Sequence, residues 1–271
     1  MTTLDSGLRL DRLRRFGWNH PEWTWGLVAV AAWVIAWTAG HAGLGQPYPH
    51  WLVMMVAMML PPALPMIRYV ALAGRWRRRH ANAAIFVGGF LLAWAAAGAV
   101  ILTAVLVVRS TLLRAELAGP APVPAGLLPA SLIPAGLVPG GLIPPDVAAS
   151  VLIGWSRWGV PAAMAIAAGW ELTAVKSRFL RRCHWFDALP PRGWRAGAAC
   201  LRFGTRYGWR SVGAGWALML PMAVAPHTAF ALMPLLAGIV AAEELLAKGA
   251  RLTRAAAAAL LGVAALMAGG S

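Results

Sequence analysis

The run His50-Trp51-Leu52-Val53-Met54-Met55-Val56-Ala57-Met58-Met59-Leu60-Pro61-Pro62-Ala63-Leu64-Pro65-Met66 decides the fold. Five methionines and three prolines lie inside one long apolar stretch, and an apolar stretch of this length is a membrane span. Met54, Met55, Met58 and Met59 recur at i, i+3 and i+4, so they share neighbouring faces of one helix. His50, Met54 and Met58 form a line along it at i, i+4 and i+8. Thioether and imidazole donors suit soft Cu(I). Methionine is equally an adaptable packing residue, so the same stripe also reads as core.

Composition extends the reading to the whole chain. Of 271 residues, 60% are hydrophobic and 12% are charged, and the mean hydropathy is +0.65. A soluble domain carries about twice that charge. The chain reads as an all-α, polytopic helix bundle in the cell membrane, with no room for a separate large soluble domain. A net charge of +15 would suggest nucleic acid on a soluble protein. Here the basic residues cluster in short segments between apolar runs, which indicates topology. The lipid bilayer is the expected partner, and nucleic acid is not. Residues 1–22 hold Asp5, Arg9, Asp11, Arg12, Arg14 and Arg15 and lack the layout of a secretory signal. They are expected to persist as a cytoplasmic basic segment. Cys183 and Cys200 do not make a disulfide framework.

Residues 23–270 read as a single transmembrane domain with seven apolar segments: Trp23–Gly43, His50–Leu72, Ala83–Val108, Val147–Val175, Ser211–Phe230, Ala231–Leu246 and Ala255–Gly269. The sixth is short for a span, and the fifth and sixth read alternatively as a tight hairpin. Lys and Arg between successive segments number 4, 0, 5, 3, 9, 0, 3 and 0. Positive residues stay on the cytoplasmic side, so this alternation predicts seven crossings, N-in and C-out. Residues 176–210 become a basic cytoplasmic loop. Residues 119–146 become an external loop with four copies of a five-residue unit, x-Leu-aliphatic-Pro-small, whose fourth residues are Pro129, Pro134, Pro139 and Pro144. Proline at that period forbids a regular helix; the segment reads as a spacer or as a lid over the outer face.

Topology concentrates the candidate ligands. Met54 and Met58 fall about 6 and 12 Å below the outer boundary, and Met222 on the fifth segment reaches about the same depth. Met55, Met59 and Met219 accompany them, with His50 and His227 nearer the surface and His41, Met233 and Met164 as further neighbours. Pro61 and Pro62 remove the helical partners of the Ala57 and Met58 carbonyls, which predicts a break near the midplane. Met-Leu-Pro-x-Ala occurs both at Met59–Ala63 and at Met219–Ala223. Broken helices in inverted repeats mark transporter sites, although two ordinary proline kinks explain so short a match. Glu171, Glu243 and Glu244 lie near the inner ends of their segments, close enough to pair with Arg68, Lys176 or Lys248, and proton coupling is the alternative. Cys183-His184 with Cys200 is an incomplete metal set. Trp185, Phe186, Trp194 and Trp209 among arginines suit the headgroup layer. No catalytic triad, phosphate loop or His-Glu-x-x-His pattern is present, so no enzyme is expected.

Four strings occur in one order: Met54-Met55-Val56-Ala57-Met58-Met59-Leu60-Pro61, then Gly169-Trp170-Glu171-Leu172-Thr173-Ala174-Val175-Lys176 with Leu180-Arg181-Arg182-Cys183, then Gly213-Ala214-Gly215-Trp216-Ala217-Leu218-Met219, and finally Glu243. In this the chain resembles the DUF 2182 family of predicted metal-binding integral membrane proteins, some of which carry a copper-chaperone label. The resemblance spans about residues 50–250. It implies copper as the metal. It also implies a Cys-Cys pair where this chain has Ala214 and Gly215, an amide where it has Glu171, and often a lysine where it has Glu244. The expected function is Cu(I) handling or delivery through Met54, Met55, Met58, Met59, Met219 and Met222, with His50 and His227 at the mouth. The partners are a metal ion and a membrane or extracytoplasmic copper protein. A metal-free assembly subunit and a small-solute transporter are the alternatives.

Overall fold

The computed structural model describes residues 20–41, 47–74, 76–117, 145–183, 189–190, 194–224, 232–246 and 249–269, with side chains of the fourth helix from residue 158 onward. Among these residues every regular element is helical. In chain order they are α1 (Glu22–His41), α2 (Pro47–Ala73), α3 (Arg79–Leu117), α4 (Pro145–Glu171), α5 (Ala174–Cys183), α6 (Trp194–Gly215), α7 (Leu220–Val224), α8 (Met233–Leu245) and α9 (Gly249–Gly269). Single 3-10 turns at Trp76–Arg78 and Trp216–Met219 precede α3 and α7. The proline-rich segment 118–144, His227 and Lys248 lie outside the described residues.

Three helical stretches, Tyr48–Ala73, Arg79–Leu112 and Arg251–Gly269, are long and apolar enough to cross a membrane. α3 is about 58 Å long at 1.5 Å per residue, well beyond the ~30 Å of a hydrocarbon core. Outward faces are apolar: Leu27, Val30 and Val34 on α1, Leu92 and Val100 on α3, and Leu261 and Leu266 on α9 are all exposed.

α2 runs unbroken through Pro61, Pro62 and Pro65, so the expected midplane break is absent there. Proline lacks the amide but its φ is helical, and tight packing by neighbouring helices tolerates proline in apolar helices. α1 and α3 pack along both sides of α2. The departure from α-helix occurs instead at the second Met-Leu-Pro string, where α6 gives way to the Trp216–Met219 turn ahead of Pro221.

α6 is the element least evident from composition. The segment read as a basic loop is helical in two pieces, α5 and α6. Along α6, Ala196, Cys200, Phe203, Tyr207, Ser211 and Val212 are buried, while Arg195, Arg202 and Arg206 are exposed. That is the stripe of an amphipathic helix. The buried stripe is made largely of small residues, and it lies against α3 in the most extensive helix pair of the molecule. A Cβ at Gly204 would strike the Phe86 carbonyl. A Cβ at Gly208 would come within 2.8 Å of Ala93 Cβ and 2.9 Å of the Phe90 carbonyl. On the facing side, a Cβ at Gly89 would lie 2.6 Å from the Leu201 carbonyl. Gly204 and Gly208 are four residues apart, the small-xxx-small spacing that brings helix backbones together. The contacts advance in the same direction on both chains, so α3 and α6 run parallel. Phe86 and Phe90 then stack on Tyr207 at 5.7 Å, and Phe203 bridges to Tyr69 of α2 at 6.3 Å.

Gly204→Val is expected to cost at least about 3 kcal/mol, because the obstructing atom is backbone and cannot turn aside. Gly238→Ala on α8, where an added Cβ meets nothing within 4 Å, should be neutral or stabilising by about 0.5–1 kcal/mol. Thermal unfolding of the two purified variants against the parent checks both.

Candidate metal site and the buried ionic cluster

The methionines point inward. Met54, Met55, Met58 and Met59 each expose 2% or less of their surface, and so do Met164, Met219, Met222 and Met233; all belong to one apolar core. Helical spacing explains the α2 group, since i, i+1, i+4 and i+5 cover one broad stripe. α2 packs on α1, α3 and α8, and α4 packs on the 3-10 turn and α7 that carry Met219 and Met222. The α2 group comes closest to the chain leading to Met219 at Gly215 through Met59. A Cβ built there would lie 3.7 Å from the Met59 methyl and 3.6 Å from the Trp94 ring. His50 is half-buried on the first turn of α2.

Trp94 was not among the residues the sequence pointed to. It is fully buried, and its indole Nε1 has no hydrogen-bond partner among the described residues. An indole face attracts cations, and this one flanks Gly215 beside a thioether. The signal available was a tryptophan in the interior of a span, which by itself reads as packing. The donor chemistry at this place is thioether and aromatic. Among the described residues no group of three His, Cys, Asp or Glu side chains is placed to hold a metal. Soft, neutral donors in a dry interior fit Cu(I) and do not fit hard divalent ions.

The carboxylates form a second centre. α4 ends at Glu171, and Leu172 and Thr173 turn the chain into α5. The Thr173 hydroxyl donates to the Trp170 carbonyl at 2.8 Å and accepts the Lys176 amide at 3.2 Å. It is therefore the N-cap of α5, and it sets Lys176 in the first turn. From there the fully buried Lys176 ammonium pairs with Glu171 and, at 2.6 Å, with Glu243 Oε2 of α8. Glu244 instead accepts from Ser211 Oγ at 3.0 Å and Tyr207 Oη at 3.4 Å, both on α6. Of the partners considered, Lys176 takes two of the three carboxylates. Arg68 pairs with Glu22 of α1 at 3.4 Å.

These contacts show why the four ordered strings travel together. Trp170 donates from Nε1 to the Gly213 carbonyl at 3.2 Å and meets Trp216 edge-on at 5.2 Å. Gly213 faces the Phe179 ring of α5 so closely that a Cβ would lie 2.6 Å from it. The Trp-Glu-Leu-Thr-x-x-Lys string, the Gly-x-Gly-Trp string and Glu243 thus make one corner of the bundle, and the methionine string meets it at Gly215.

Cys183 and Cys200 are both buried and free. Burial, reinforced by Glu244, pushes the Cys183 thiol well above its ordinary range. His184, the other member of the incomplete metal set, lies outside the described residues.

The fold and the two centres define an all-helical protein with membrane-length apolar helices and a methionine-rich interior. Residues 48–138 and 145–267 match the model of the PpoB2 family, described as copper chaperone, and the chain belongs to that family. No curated protein and no solved structure matches it.

Thr173→Ala should lower stability by about 1 kcal/mol through loss of the cap. Lys176→Met should lower it by about 3–5 kcal/mol, because it strands buried carboxylates. A raised folded-state pKa at Cys183 leaves stability intact below the ordinary thiol value of 9.0 and erodes it as pH rises beyond that, where only the unfolded thiol ionises. The thermal midpoint of the parent should therefore fall above about pH 9, and that fall should be smaller in Cys183→Ala.

Proposed function

We propose that this chain is a multi-pass membrane protein that holds Cu(I) as cargo in a thioether-rich site and passes it to a membrane or extracytoplasmic copper protein. The observation that carries the reading is the burial of Met54, Met55, Met58 and Met59 in one core with Met219 and Met222. Membership of a copper chaperone family supports the metal. Met59 and Trp94 at Gly215 form the inner part of the proposed site, and His50 on the first turn of α2 is its proposed mouth. Release would exchange a copper–thioether bond for a bond to the acceptor's ligand with no change of oxidation state, so no catalytic step is assigned.

The proposed topology is seven crossings, N-in and C-out, as the arginine and lysine distribution implies. The fifth crossing consists of the end of α6, the 3-10 turn and α7. The sixth centres on α8, whose 13 residues extend about 20 Å and need flanking residues to reach across.

Family members commonly carry a cysteine pair where Ala214 and Gly215 stand. Position 215 has room for a side chain, at ordinary contact distance from Met59 and Trp94. Loss of a thiolate there makes the proposed site weaker and more readily unloaded than one with sulfur anions.

Anaerobic Cu(I) loading of purified protein, with metal analysis and competition against a chromophoric chelator, tests the reading. The Met54/Met58/Met59→Leu triple variant should lose most of the bound copper; equal copper in variant and parent would sink the proposal. Gly215→Cys should tighten Cu(I) binding on the order of tenfold or more, since thiolate is the stronger soft donor. A metal-free parent that co-purifies with another membrane protein would favour the assembly-subunit reading.

A further inference from the structure

Glu171, Lys176 and Glu243 come from three helices, and none exposes more than 3% of its side chain. Lys176 Nζ pairs with one oxygen of each carboxyl group. Both carboxyl groups meet the same ammonium, so they adjoin each other. The second oxygen of each, Glu171 Oε1 and Glu243 Oε1, is buried without a hydrogen-bond donor among the described residues. Fully ionised, the trio would carry one uncompensated negative charge away from water, with like charges adjoining. Burial and like-charge proximity both favour a neutral carboxyl. Two acceptors face to face lack one hydrogen, and a proton supplies it.

Several neighbouring ionic groups have partners of their own or are exposed. On α8, Glu244 is held by Ser211 and Tyr207 of α6. At the end of α5, Cys183 lies near Glu244 and Arg210, and Arg210 Nη1 donates to the Arg182 carbonyl. From α9, Arg251 and Arg254 are exposed. From α2, Arg68 is exposed and paired with Glu22. Arg79 of α3 is buried.

We propose that Glu171 and Glu243 share one proton and, with Lys176, form a neutral proton-binding site that joins α4, α5 and α8. The proton is taken from solvent as the three helices assemble. The O–H forms on one carboxyl group and donates to the other, Lys176 remains an ammonium, and the net charge passes from −1 to zero. Protonated and ionised states then differ in how firmly α8 is held, which makes the site a binding centre for a proton, independent of any metal at the methionines.

Infrared spectroscopy of the metal-free, full-length protein in lipid nanodiscs, with isotope-labelled glutamate at neutral pH, tests this. The parent should show a protonated-carboxyl C=O band worth about one group. That band should vanish in Glu171→Gln and in Glu243→Gln and persist in Glu244→Gln. Glu171→Gln makes the neutral state permanent, so it should fold with a thermal midpoint no lower than that of the parent. Absence of the band in the parent, its survival in either Glu171→Gln or Glu243→Gln, or unfolding of Glu171→Gln would overturn the proposal.

Discussion

Backbone contact between α3 and α6 positions the rest of the molecule. At Gly204 and Gly208 the α6 backbone meets the Phe86 and Phe90 carbonyls with no side chain between. In an apolar setting close approach of this kind is a principal source of helix association, since lipid competes for ordinary apolar contacts. Once α6 is seated, everything further along it has a fixed place. Tyr207 and Ser211 reach Glu244, Gly213 receives Trp170, and Gly215 arrives beside Met59 and Trp94. One helix held by two glycines thus borders both candidate centres.

Much of this was legible from residue order. The apolar runs that became α1 to α4 and α9 are long enough to be unmistakable by length, and the inward methionine stripe follows from its spacing. α6 was not legible in that way. Its arginines dominate any sum of hydropathy, and Ala196, Gly204, Gly208 and Ser211 of its buried stripe carry little apolar weight beside Cys200, Phe203, Tyr207 and Val212. Only packing against a specific partner reveals such a face. The prolines misled in the opposite sense. Pro61 and Pro62 sit in a helix clasped on both sides and do not break it, whereas the copy at Pro221 follows a glycine-containing helix end and accompanies the 3-10 turn. The Lys176 pairing was open among three basic residues because it depends on a cap, Thr173, whose effect is to set the first turn of α5.

The two centres differ in physical character. One is soft and neutral, and it favours polarisable cargo without organising charge. The other is ionic and dry, and its stability depends on an even count of charges. α8 takes part in both, since Met233 opens it and Glu243 lies ten residues later, about 15 Å along the axis. A short helix anchored by charge at one end and by thioethers at the other is a natural lever between them.

The glycine seam also bears on how the chain sits in a bilayer. A helix can ordinarily roll about its axis at little cost, but a roll of one residue here, about 100°, would press Phe203 or Thr205 into the Phe86 carbonyl. The seam therefore fixes the azimuth of α6. Arg195, Arg202 and Arg206 are obliged to face one way, away from α3, and form a stationary band of positive charge. The absence of two side chains on the hidden face thereby determines where the visible charges point, and that band can act as the plumb line by which the bundle is levelled against the anionic surface of a membrane.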